Sequence, residues 1–208
     1  MERPHRALAL FPSNEQGRQF LLARGRAIES YALYEQSLAS LYASLMGVSQ
    51  DYAGVTFFRI NNARARLAII GRLIRKRYGD QYNVFWNSFE KQLRAFDEKR
   101  NQIVHWTSIE EIGADEHGAV TRTSTLAPPN FWDQMDNPKR MKIVVSDLYD
   151  FIVESDFVSR LMNMFFVVSS GQLAKLRDAG ETLARWSPMF ERSVTYPPQE
   201  GHPLFRKA

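Results

Sequence analysis

The feature that most limits what this chain can fold into is a stripe of apolar residues between Asp80 and Trp106. Tyr82, Phe85, Phe89, Leu93, Phe96 and Ile103 recur at steps built from three and four, the period of one buried face of an α-helix. Arg100 takes the next slot on that stripe, within roughly 20° of the line through Phe89 and Phe96. A guanidinium on a core-facing stripe is costly unless it is paired, or unless the stretch borders a cleft or a subunit interface. Two readings follow. A carboxylate from a neighbouring helix satisfies Arg100, or its planar fork of donors reaches a phosphate. Asn101 and His105, four apart, share another side of the same helix.

The flanking segments read as helices too. A first long helix is expected from Asn14 to Met46, ended by Gly47, with Ile28, Tyr31, Leu38, Tyr42 and Leu45 as its stripe. Glu35 lies at the margin of that stripe, and we pair it with Arg100 as a supporting residue; the alternative turns Glu35 outward into solvent. A second helix is expected from Tyr52 to Tyr78, with Ile60, Ala63, Leu67, Ile70 and Ile74 inside. From Arg59 to Arg77 it carries seven basic residues and no acidic one. They spread around the helical wheel, so a solvated face is the default and RNA contact the alternative. Arg75, Lys76 and Arg77 also suit a helix C-terminus.

After His105 the pattern changes. Thr107 to Leu126 is rich in Thr, Ser, Val and Ile around Asp115-Glu116-His117-Gly118, which predicts a small hairpin. Pro128-Pro129 and Asn137-Pro138 bracket a loop holding Phe131 and Trp132. A connection this long between helices often serves as a lid or partner surface. Helices resume with Ser146 as N-cap and Asp147 in the first turn, then Leu148, Phe151, Ile152, Val158, Met162 and Phe165 as a core stripe. Ser169-Ser170-Gly171 interrupts it. A last helix with Leu173, Leu176 and Leu183 stops after Trp186 at Ser187-Pro188. The expected organisation is an arm over 1–13, one helical domain over 14–186 with an insertion at about 107–143, and an extended or mobile tail over 187–208.

Composition narrows the chemistry. The 208 residues, 44% of them hydrophobic, suit a single domain with a substantial core. No cysteine is present, which removes disulfides, thiolate nucleophiles and zinc–thiolate sites and fits a reducing cytoplasm. The net charge of +4 permits contact with nucleic acid or acidic partners without requiring it. No apolar run approaches a membrane span. The histidines are His5, His105, His117 and His202. They form neither a Glu-x-x-His nor a His-Glu-x-x-His pattern, and there is no Walker loop or Rossmann fingerprint. No metal or cofactor is expected.

Arg100, Asn101 and His105, set as Arg-x4-His near the end of a helix, resemble the Arg-x4-6-His motif of HEPN domains. That resemblance implies an all-α fold: an antiparallel bundle of about five helices, with the hairpin and loop inserted after the third. It also implies a metal-independent endoribonuclease. The histidine would move the proton of the ribose 2'-hydroxyl, the arginine would meet charge on the phosphate, and the adjacent polar residue would orient the pair. Family members often form homodimers in which two motifs face one cleft, which would also account for Arg100 on a buried stripe. Toxin members regulated by tyrosine modification carry Tyr two residues after the histidine; here that residue is Thr107, so that form of control is not expected. A non-catalytic module of the same fold, binding RNA, a nucleotide or a protein partner such as an antitoxin, is the alternative.

Overall fold

A computed structural model of the chain describes residues 14–114, 117, 120–129, 142–172 and 179–205. Within them lie six α-helices and one two-stranded sheet. The first helix, α1 (Glu15–Met46), starts where Asn14 accepts a hydrogen bond from the Gly17 amide and ends where Gly47 adopts φ 70°, the left-handed geometry that spares a glycine any Cβ clash. Tyr31, Leu38, Tyr42 and Leu45 are buried as expected, but Ile28 is 41% exposed.

The expected second helix is two helices. After α2 (Gln50–Phe57), the amides of Arg59 and Ile60 turn back to the carbonyls of Thr56 and Phe57, closing a tight final turn. α3 (Ala63–Tyr78) then restarts at Asn62, whose side chain accepts from the Ala65 amide at 3.1 Å. Asn61-Asn62 thus marks a cap that the apolar period alone conceals. Leu67, Ile70 and Ile74 are buried on α3. At Gly71, an added Cβ would stand 2.6 Å from Trp86 Nε1, so only glycine allows this approach to the next helix.

That next helix, α4 (Asn83–His105), bears the arginine–histidine motif and is the fourth in the chain rather than the third. Phe85, Phe89, Leu93, Phe96 and Ile103 are buried along it. The hairpin follows as β1 (Thr107–Ala114) and β2 (Val120–Ala127), antiparallel, with Thr107 opposite Ala127. Its base is anchored by the pairing of Leu126 with Ile143, both buried, while Ile112 and Val120 at the far end are exposed. Of the expected turn only His117 is described, and Phe131 and Trp132 lie outside the described residues.

α5 (Val145–Ser169) begins one step before the predicted cap: Asp147, not Ser146, accepts from the Val144 amide at 2.9 Å. α5 packs along α1, where Ala23 and Ala27 leave room and Ser155 Oγ donates to the Ser30 carbonyl at 2.8 Å. Phe151 stacks on Phe96 with centroids 4.5 Å apart, tying α5 to α4. α6 (Ala179–Trp186) passes into a 3-10 helix over Ser187–Glu191, whose Phe190 is fully buried against Phe85 and Phe165; Leu173 and Leu176 fall outside the described residues.

The tail, expected to be extended or mobile, is docked after Glu191 without helix or strand over residues 192–205. The Val194 amide donates to Ser88 Oγ at 2.8 Å, Tyr196 packs on Phe157, and His202 contacts the rings of Phe157 and Trp186. Prolines deny it a helix, yet its aromatic residues find apolar surface on α4 and α5. Among the described residues no helix is long and apolar enough to cross a membrane.

Candidate active site

The last turn of α4 lacks a glycine cap, and its free carbonyls need partners. Arg24, one turn before Ile28 on α1, supplies them. Its Nε donates to the Ile103 carbonyl at 2.9 Å, and its Nη2 to the carbonyls of Val104 and Trp106, both at 3.0 Å. The helix segment carrying Asn101 and His105 is therefore held by a side chain roughly eighty residues earlier in the sequence. Burial pushes the Arg24 pKa below its ordinary value, the cost of seating a cation there.

Arg100 is half-buried, and Asn101 and His105 are exposed. The guanidinium lies over the ring of Tyr31, with Cζ 4.7 Å from the centroid, and Nη1 donates to Asn101 Oδ1 at 3.0 Å. Five residues further on, His105 points about 140° away round the helix. Asn101 bridges the two directions, bonded to Arg100 and sharing a side with His105.

Glu35 does not pair with Arg100. Its carboxylate meets Arg66 of α3 at 2.5 Å, and both side chains are largely buried. Arg66 is fixed in turn by donating to the Ile60 carbonyl at 2.7 Å and by lying over the Phe57 ring at 5.1 Å. Arg66 sits in the first turn of α3, so the break before that helix is what delivers it to Glu35.

Beneath Arg100, the Tyr31 hydroxyl donates to Asp97 Oδ1 at 2.7 Å. Asp97 is 7% exposed, and its other oxygen, Oδ2, is buried without a hydrogen-bond partner. Burial, with Glu35 nearby adding to it, pushes its pKa up to about 6 against the pull of the Tyr31 hydrogen bond, Arg100 and Arg66. Burial first, then Asp97, also raises the Tyr31 pKa well above the ordinary phenol value.

Arg100 and Asn101 thus lie together near the end of α4, His105 faces another way from the same helix, and Glu35 belongs to a neighbouring pair. Three residues that the sequence reading did not assign to the site hold it: Arg24, Tyr31 and Asp97. Arg24 and Asp97 are charges set on or beside buried stripes, which is the signal that could have found them, whereas Tyr31 reads as a core residue. Among the described residues, no group of three or more His, Asp or Glu side chains is placed to hold a metal ion. Compared with known proteins, the chain matches no family model, no curated protein and no solved structure.

Proposed function

We propose that the chain is a metal-independent endoribonuclease of the HEPN type, acting as a homodimer. One observation carries this reading. Arg100 has no ion pair among the described residues, and its hydrogen bond goes to the neutral Asn101, so its charge remains available to a phosphate. His105 stands in solvent at the end of the same helix, where an imidazole can take the proton from a ribose 2'-hydroxyl. The 2'-oxygen then attacks the adjacent phosphorus, and the 5'-oxygen of the next nucleotide leaves and takes up a proton. The products are a 2',3'-cyclic phosphate and a 5'-hydroxyl. Arg100 meets the charge that builds on the phosphoryl oxygens, and Asn101 orients the guanidinium.

A second copy supplies what one chain does not. Arg100 and His105 diverge on a single helix, and a two-fold axis beside the α4 ends brings both motifs to one cleft. Leu21 and Ile28, one heptad apart on α1 and exposed on the flank next to Tyr31, give such a contact apolar surface. The same divergence favours the second reading, a non-catalytic module that binds RNA, a nucleotide or a protein partner. The two separate on an RNA oligomer carrying a 2'-deoxy residue at its cut site. The nuclease leaves that linkage intact and cuts its ribose counterpart to a cyclic phosphate; equal cutting of both, or a different end group, removes the proposed chemistry.

A further inference from the structure

A buried carboxylate with one oxygen unpartnered is an expensive feature, and Asp97 sits one helical turn before Arg100 with a single hydrogen bond, from Tyr31. Packing alone would be better served by an apolar residue, since Phe96 beside it is already stacked between Tyr31 and Phe151. Tyr31 joins the two charges. Its ring carries Arg100 on one face, and its hydroxyl ends on Asp97. A phenol that donates to a carboxylate gains electron density in its ring, which strengthens its hold on a cation.

We propose that Tyr31 and Asp97 are positioning residues for Arg100, with Asp97 as the resident counter-charge whose influence a bound phosphate must replace. This rests on Arg100 being a phosphate-binding group. When a phosphate neutralises Arg100, Asp97 loses a cation that favours its ionised form, so binding and protonation of Asp97 promote each other. Phosphate binding therefore strengthens as pH falls through the Asp97 titration. The groups facing Asp97 are Tyr31, Tyr34 and Glu35 on α1, Arg66 on α3 and Arg100 on α4. Glu35 raises the carboxyl pKa, while Arg66 and Arg100 lower it. The Asp97 contribution is read from variants of Asp97 itself.

The test measures binding of a short 2'-O-methyl oligoribonucleotide, which cannot be cut, to the full chain at about pH 5 and about pH 8, either side of the Asp97 titration. Wild type, Asp97→Asn, Tyr31→Phe and Arg100→Gln are compared, each checked for a native thermal transition. Asp97→Asn is expected to bind on the order of three- to tenfold tighter than wild type at the higher pH and to lose that advantage at the lower. Tyr31→Phe keeps the ring but loses the hydroxyl that favours the ionised carboxylate, so the midpoint of the pH-dependent gain moves to higher pH. A folded Asp97→Asn with wild-type affinity at both pH values, or an unmoved midpoint in Tyr31→Phe, overturns the proposal. If Arg100→Gln weakens binding while Asp97→Asn changes nothing, the positioning role alone fails. If Arg100→Gln binds as wild type does, the phosphate-binding reading of Arg100 fails with it.

Discussion

Arg66 of α3 holds the Glu35 carboxylate of α1 at 2.5 Å. Because Glu35 is committed to that pair, it does not serve as the ion-pair partner of Arg100. The consequence is measurable. In a double-mutant cycle, Glu35→Ala with Arg66→Ala is expected to show a coupling of about 1–3 kcal/mol, as for a largely buried ion pair. Glu35→Ala with Arg100→Ala is expected to couple several-fold less in urea melts. Equal couplings would mean that Glu35 serves both arginines.

Removing Arg24 should loosen the end of α4 specifically. Arg24→Ala deletes three hydrogen bonds to carbonyls that have no glycine cap to replace them, and about 2–3 kcal/mol of stability should go with them. Amide exchange at the last turn of α4 should accelerate more than at its start. Uniform acceleration along α4 would argue against a local capping role.

Asp97 gives stability a pH dependence with a definite sign. Its folded-state pKa, about 6, lies above the ordinary 3.8. Between these values the folded chain binds more protons than the unfolded one, so the contribution is full below about pH 4 and is lost as pH rises to about 6. The loss amounts to about 3 kcal/mol. Asp97→Asn should abolish this slope in denaturant midpoints and leave the protein at least as stable at neutral pH. A variant that retains the slope would show that another group causes it.

The close approach of α3 to α4 rests on Gly71. A methyl group there would lie 2.6 Å from the indole nitrogen of the buried Trp86, and Trp86 is a large side chain packed against Phe89 and Phe165. Gly71→Ala should therefore cost about 1–3 kcal/mol despite its better helix propensity. A neutral or stabilising effect would show that the helices can separate without cost.

Long apolar periods were the most legible part of the fold. The Phe85–Phe89–Phe96 stripe placed α4 to within about one turn at its start, and a stretch rich in Thr, Ser, Val and Ile around Asp115-Glu116-His117-Gly118 placed the hairpin. The break between α2 and α3 escaped because Ile60 keeps the apolar period through a stretch that the Asn62 cap ends. The docked tail escaped because proline content says what a segment cannot form, not which ring it packs on. In the site, Arg100, Asn101 and His105 stood out through spacing. Their supports did not, since Tyr31 reads as an ordinary core residue and the choice of Arg66 over Arg100 by Glu35 depends on where α3 begins.

The most direct measurement is cleavage of single-stranded RNA by the purified protein in EDTA, beside Arg100→Ala and His105→Ala. Cutting that persists in the chelator, ends in a cyclic phosphate and disappears in both folded variants is the expected result. Wild type and folded variants that are equally inert, or cutting that survives loss of either side chain, would contradict nuclease action by this motif.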